Sequence, residues 1–119
     1  MPEEVTERII GCAMKVSNTL GVGFLEKVYE NALMVELARA GLAVEQQKPI
    51  KVSYEGVLVG DFSADIIVNG SVILELKTAK VIDGIHQAQL LNYLRATGLR
   101  VGLILNFGTP RLGIKRMVL

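Results

Sequence analysis

Asp65, Glu75 and Lys77 sit in the stretch FSADIIVNGSVILELKTAK, and Gln89 and Tyr93 follow, four residues apart, in HQAQLLNYL. Two carboxylates and an ammonium fall on what reads as a β-hairpin. An amide and a phenol fall on the helix after it. These are the groups a magnesium-dependent phosphodiester-cleaving site needs.

Alternate strand residues share a face, so Glu75 and Lys77 point the same way, roughly 7 Å apart, while Leu74 and Leu76 point into the opposite layer. Charges among apolar neighbours are costly unless paired or bound to a metal. The plain alternative is an edge-strand ion pair. Asp65 adds a geometric condition. A two-residue Asn69-Gly70 loop would pair Asp65 with Leu74 and put the two carboxylates on opposite faces. A three-residue loop or bulge, with Gly70 left-handed, puts them on one face. A functional site requires the odd-length loop.

Under that condition Asp65, Glu75 and the Leu76 carbonyl offer hard oxygen ligands to Mg²⁺ or Mn²⁺. Lys77 would orient a water or neutralise charge in the transition state. Zinc is disfavoured, because His86 is the single histidine and Cys12 the single cysteine. Gln89 and Tyr93 share a helix face beside the stripe Leu90, Leu91 and Leu94; a surface amide with a half-buried tyrosine is the structural alternative. Glu26 falls in the first turn of a helix, where a glutamate is favourable on dipole grounds alone. Functionally it would be a third carboxylate reaching the metal.

The elements that must position these groups read as ααβββαββ. Helical spacing covers 4–20 (Val5, Ile9, Ile10, Ala13, Val16, Leu20) and about 25–40, the latter with Leu25, Val28, Tyr29, Ala32 and Leu33 on one stripe and Gly41 as C-cap. Strands follow at 45–53, 57–67 and 72–77, with turns at Glu55-Gly56 and Asn69-Gly70. Asp83 or Gly84 opens a helix to Thr97, stopped by Gly98, and strands at 100–107 and 113–118 finish the chain. Ile66-Ile67-Val68 and Val72-Ile73-Leu74 are apolar on both faces, which predicts a central mixed sheet covered on both sides: a three-layer α/β sandwich.

The 119 residues suit one domain spanning 1–119, and the 50% hydrophobic, 21% charged composition is that of a globular chain. No apolar run reaches membrane-spanning length, no signal peptide is recognisable, and a reducing cytoplasm is the expected location. The net charge of +1 hides an asymmetry. Through residue 75 there are six basic and eleven acidic residues; from residue 76 seven basic residues face Asp83 alone. Such a split suits a polyanion partner if the basic residues form a patch, and means little if they scatter.

Gly23-x-x-Glu26-x-x-Tyr29, Asp65, Glu75-x-Lys77 and Gln89-x-x-x-Tyr93 together resemble the GxxExxY family, grouped with the PD-(D/E)XK nuclease superfamily. The resemblance extends to Asn106-Phe107-Gly108 and Lys115-Arg116, and the Gln/Tyr pair is similar to the motif of RecB-type exonuclease domains. Ala64 stands where the superfamily's name has proline. The resemblance implies a restriction-endonuclease-like core and divalent-metal cleavage of phosphodiesters. It makes Glu26 the helix carboxylate, with Gln89 and Tyr93 positioning substrate or water. The expected partner is nucleic acid, DNA or RNA, with specificity supplied by dimerisation or a partner protein. Two other functions remain open: a catalytically idle nucleic-acid-binding or regulatory domain on the same fold, and a protein-interaction module.

Overall fold

Ile9, Ala13 and Val16, spaced for one helix face, are buried along α1 (Pro2–Leu20), whose first turn carries Glu3 and Glu4. The computed structural model describes residues 2–119. After a short glycine-rich loop comes α2 (Glu26–Arg39), closed where the Gly41 N–H bonds the Ala38 carbonyl and the Leu42 N–H bonds the Leu37 carbonyl, dropping Leu42 into the core. The buried stripe of α2 differs from the one its apolar residues suggest. Tyr29, Glu30, Leu33 and Leu37 face inward, whereas Leu25 and Val28 are exposed. Tyr29 sets this rotation, because its ring stacks on Phe107 with centroids 4.9 Å apart, and Glu30 is tolerated inside because it is fully hydrogen-bonded.

Strands β1 (Val44–Tyr54), β2 (Val57–Val68), β3 (Val72–Lys77), β4 (Val101–Asn106) and β5 (Gly113–Val118) form one sheet in sequence order. Helix α3 (Gly84–Thr97) connects β3 to β4, the one parallel pair; the other pairs are antiparallel. Helices α1 and α2 cover one face over Ile66, Val68, Leu74, Leu76, Leu103 and Leu105. Helix α3 covers the other through Leu90, Tyr93 and Leu94 on Ile50, Ile67, Ile73 and Ile104. The three-layer α/β sandwich with a mixed sheet is therefore the observed architecture. Among the described residues no helix is long and apolar enough to cross a membrane.

The basic residues of the C-terminal half lie on several elements. Lys115 and Arg116 are consecutive on β5 and project to opposite faces. Arg100 precedes β4 at the end opposite Asn106, which pairs with Lys77.

Candidate active site

The β2–β3 hairpin meets the odd-length condition. Val68 pairs with Val72, leaving Asn69, Gly70 and Ser71 as a three-residue loop in which Asn69 and Gly70 both take positive φ (53° and 60°). Extended by one residue, the register of Ile66 with Leu74 would set Asp65 opposite Glu75. The ladder, however, ends at Ile66. Beyond it the carboxylates replace backbone pairing: the Asp65 N–H donates to Glu75 Oε2 at 2.8 Å, and the Leu76 N–H donates to Asp65 Oδ2 at 2.8 Å. The two strands part here, and the gap between them holds both carboxyl groups.

Glu75 is only 5% exposed. Burial, reinforced by the neighbouring Asp65 charge, pushes its carboxyl up to about 8. Asp65 is also raised, chiefly by burial, against the Leu76 hydrogen bond. Glu26 opens α2 and is half-buried; burial and then Asp65 raise it as well. The Lys77 ammonium acts in the opposite sense on all three. On α3, the Gln89 amide donates to the Tyr93 hydroxyl at 3.2 Å, and the phenol is raised by burial and by the Glu75 and Asp65 charges. Glu26, Asp65, Glu75, Lys77 and Tyr93 are thus brought into one electrostatic neighbourhood, with Gln89 attached through Tyr93. His86 completes a capping box with Asp83 at the start of α3 and acts weakly on Glu26, in the same sense as Lys77.

Local structure explains why Glu26 lies where it does. Gly23 has φ +112°, a conformation that side-chain-bearing residues rarely adopt. The Tyr29 hydroxyl donates to the Gly21 carbonyl at 2.7 Å and accepts from the Phe24 N–H at 3.2 Å, stapling the loop that delivers Glu26.

Three further groups hold the site, and their roles are not apparent from the motif spacing. Glu30, one helical turn after Glu26 and 3% exposed, accepts from Lys27, Gln46 and Gln47. Burial works against its charge, but these donors hold its carboxyl below the usual range. Gln47 sits at φ +51° where the β1–β2 ladder skips its pair with Asp65, and its amide bridges Glu30 at 3.0 Å to Asp65 Oδ1 at 3.4 Å. Asn106, 2% exposed, binds both the N–H and the carbonyl of Ala79 at 2.9 Å and accepts from the Gly108 N–H, clamping the chain just after Lys77. Gly108 is required there, since a β-carbon would lie 2.4 Å from the Ala79 carbonyl oxygen.

Among the described residues, no group of three or more histidine, cysteine, aspartate or glutamate side chains is close enough to enclose a cation. A divalent ion of the magnesium type does not need one: one or two carboxylates plus waters suffice. The Lys77 carbonyl accepts from the Phe107 N–H toward β4, so the Leu76 carbonyl points to the opposite edge, into the gap with Asp65. Asp65, Glu75 and the Leu76 carbonyl are hard oxygen donors of the kind Mg²⁺ and Mn²⁺ take.

A model of the PD-(D/E)XK nuclease superfamily matches residues 3–117. No curated protein matches. Among solved structures, the chain resembles SSO0001 with a TM-score of 0.61 and 20% identity over 78% of its length, spanning 50% of that chain. It also resembles an alkaline exonuclease (LHK-Exo) from Laribacter hongkongensis, with a TM-score of 0.40 and 10% identity over 89% of its length and 75% of that chain. The first similarity shows a shared fold. With the family match covering nearly the whole chain, this protein belongs to the PD-(D/E)XK nuclease superfamily.

Proposed function

We propose that this protein is a divalent-metal-dependent nuclease acting on nucleic acid, with Glu26, Asp65, Glu75, Lys77, Gln89 and Tyr93 as its site. The observation that carries this is the pairing of Asp65 and Glu75 across the opened end of the β2–β3 hairpin, with Lys77 two residues further on the same face. Superfamily membership supports it, since such nucleases typically use divalent metals. Asp65, Glu75 and the Leu76 carbonyl would hold Mg²⁺ or Mn²⁺, with Glu26 approaching from α2. The ion would supply Lewis acidity toward a phosphoryl oxygen and a lowered water pKa. Lys77 places positive charge beside the reacting phosphate, where charge develops. The Gln89–Tyr93 pair presents an amide and a phenol at the rim to orient substrate or water.

The test is cleavage of labelled single- and double-stranded DNA and of RNA, with Mg²⁺, Mn²⁺ or EDTA. Metal-dependent products that vanish in Asp65→Ala and Glu75→Ala, both still folded, support the assignment. Equal cleavage by well-folded mutants overturns it. A second reading, a catalytically idle domain on the same fold, is favoured by the backbone N–H groups that already occupy one oxygen of Asp65 and one of Glu75. Failure of every substrate, with metal binding absent, would select it.

A further inference from the structure

We propose that the groove between α3 and the β1–β2 hairpin binds an unpaired nucleobase, so that substrate enters the carboxylate gap as a single strand. This rests on the reading that nucleic acid reaches that gap. The groove has a volume of about 690 Å³, within the range of small-ligand pockets. Gln89 and Tyr93 line it, so it opens directly from the candidate site. Its walls combine an apolar floor at Val52, the flat ring of Phe62, and the polar side chains of Asn92 and Arg95.

Phe62 is the central feature. It is 46% exposed, and its ring centroid lies 5.9 Å from that of Tyr93 at an interplanar angle of 42°. Gly60, two residues earlier on the same face, makes room for the ring: a β-carbon there would sit 2.8 Å from it. The ring is therefore laid against its own strand, and its exposed part faces the groove. On the facing helix the Arg95 guanidinium donates to the Asn92 amide oxygen at 3.0 Å, keeping a cation and an amide at the rim. A π-face, hydrogen-bonding amides and one cation match a nucleobase with its phosphate. Inside a duplex both base faces are covered, so away from a duplex end only an unpaired base can use Phe62. Stacking of a base on an aromatic ring adds to whatever the basic residues contribute through the phosphates.

The test measures binding of short fluorescent single-stranded DNA, single-stranded RNA and the matching duplexes in EDTA, which separates binding from metal-dependent cleavage. Wild type should bind single strands over duplex, and the DNA and RNA arms show which backbone the groove accepts. Phe62→Leu keeps apolar bulk without the π-face and should weaken single-strand binding by about five- to one-hundred-fold, with Phe62→Trp retaining it. Arg95→Ala should reduce the salt slope by about one. Equal affinity for duplex, or unchanged binding by Phe62→Leu, overturns the proposal. So does a dimer by sedimentation that Phe62→Leu abolishes, which would make the groove an interface between copies. Cleavage without Phe62-dependent binding removes this inference and leaves the nuclease; Phe62-dependent binding without cleavage does the reverse.

Discussion

Glu75 and Asp65 each take up a backbone N–H of the other's strand: Glu75 Oε2 binds the Asp65 N–H, and Asp65 Oδ2 binds the N–H of Leu76, the residue after Glu75. The same two carboxylates that would hold a cation stand in for backbone pairing where the β2–β3 ladder ends. Metal binding and local sheet geometry are therefore coupled, and removing one carboxylate releases the other's strand.

Millimolar Mg²⁺ or Mn²⁺ should raise the thermal midpoint of the wild type. A ligand at 100 times its Kd adds about 2.7 kcal/mol to native stability, a shift of several degrees for a chain this size. Glu75→Ala should lose the shift. An equal rise in the mutant would place the metal elsewhere.

Without metal, stability should fall as pH rises. The Glu75 carboxyl is raised from 4.5 to about 8 in the folded chain, so between those values the native state binds more protons than the unfolded state. Its contribution is full below about pH 4.5 and is lost as pH climbs through about 8. Glu75→Gln, which cannot ionise, should flatten that part of the profile and unfold later than wild type at pH 9. Matching pH–stability curves for the two proteins would contradict the buried, neutral carboxyl.

The carboxylate pair, the element order and the parity condition on the hairpin were legible in residue types and spacing. Which loop length the chain adopts was not, because Asn69-Gly70 suits a two-residue turn as well as a three-residue one; the outcome depends on burying Ile66, Val68, Val72 and Leu74 under α1 and α2. The inward face of α2 departs from its apolar pattern at Leu25 and Val28, since a buried, hydrogen-bonded Glu30 takes an inward position that patterning assigns to apolar residues. Gln47 and Asn106 act through contacts 18 and 27 residues away in sequence, to Asp65 and Ala79. No local pattern announces such contacts.

Gln47→Ala should weaken the metal-induced shift without abolishing it. The side chain makes no direct claim on the ion; it restrains Asp65 and Glu30 from a backbone held at φ +51°. Its loss removes hydrogen bonds to two carboxylates, about 1–3 kcal/mol, partly offset if the backbone relaxes. Calorimetric Mn²⁺ titration separates the cases. A several-fold weaker Kd fits the restraint; an unchanged Kd with lower stability reduces Gln47 to a structural brace.

Tyr29→Phe isolates the staple that delivers Glu26. The ring keeps its stacking on Phe107, while the hydroxyl's bonds to the Gly21 carbonyl and the Phe24 N–H disappear. The expected cost is about 1–3 kcal/mol, because groups that paired with the hydroxyl in a partly buried site lose their partner. The loop then gains freedom ahead of α2, so proteolytic nicking between Gly21 and Leu25 should accelerate. Any metal-dependent cleavage should fall further than the loss of folded protein accounts for, since Glu26 is no longer held toward Asp65. Mutant stability and nicking equal to wild type would show that the stacked ring alone positions the helix, and that the hydroxyl contributes nothing to where Glu26 sits.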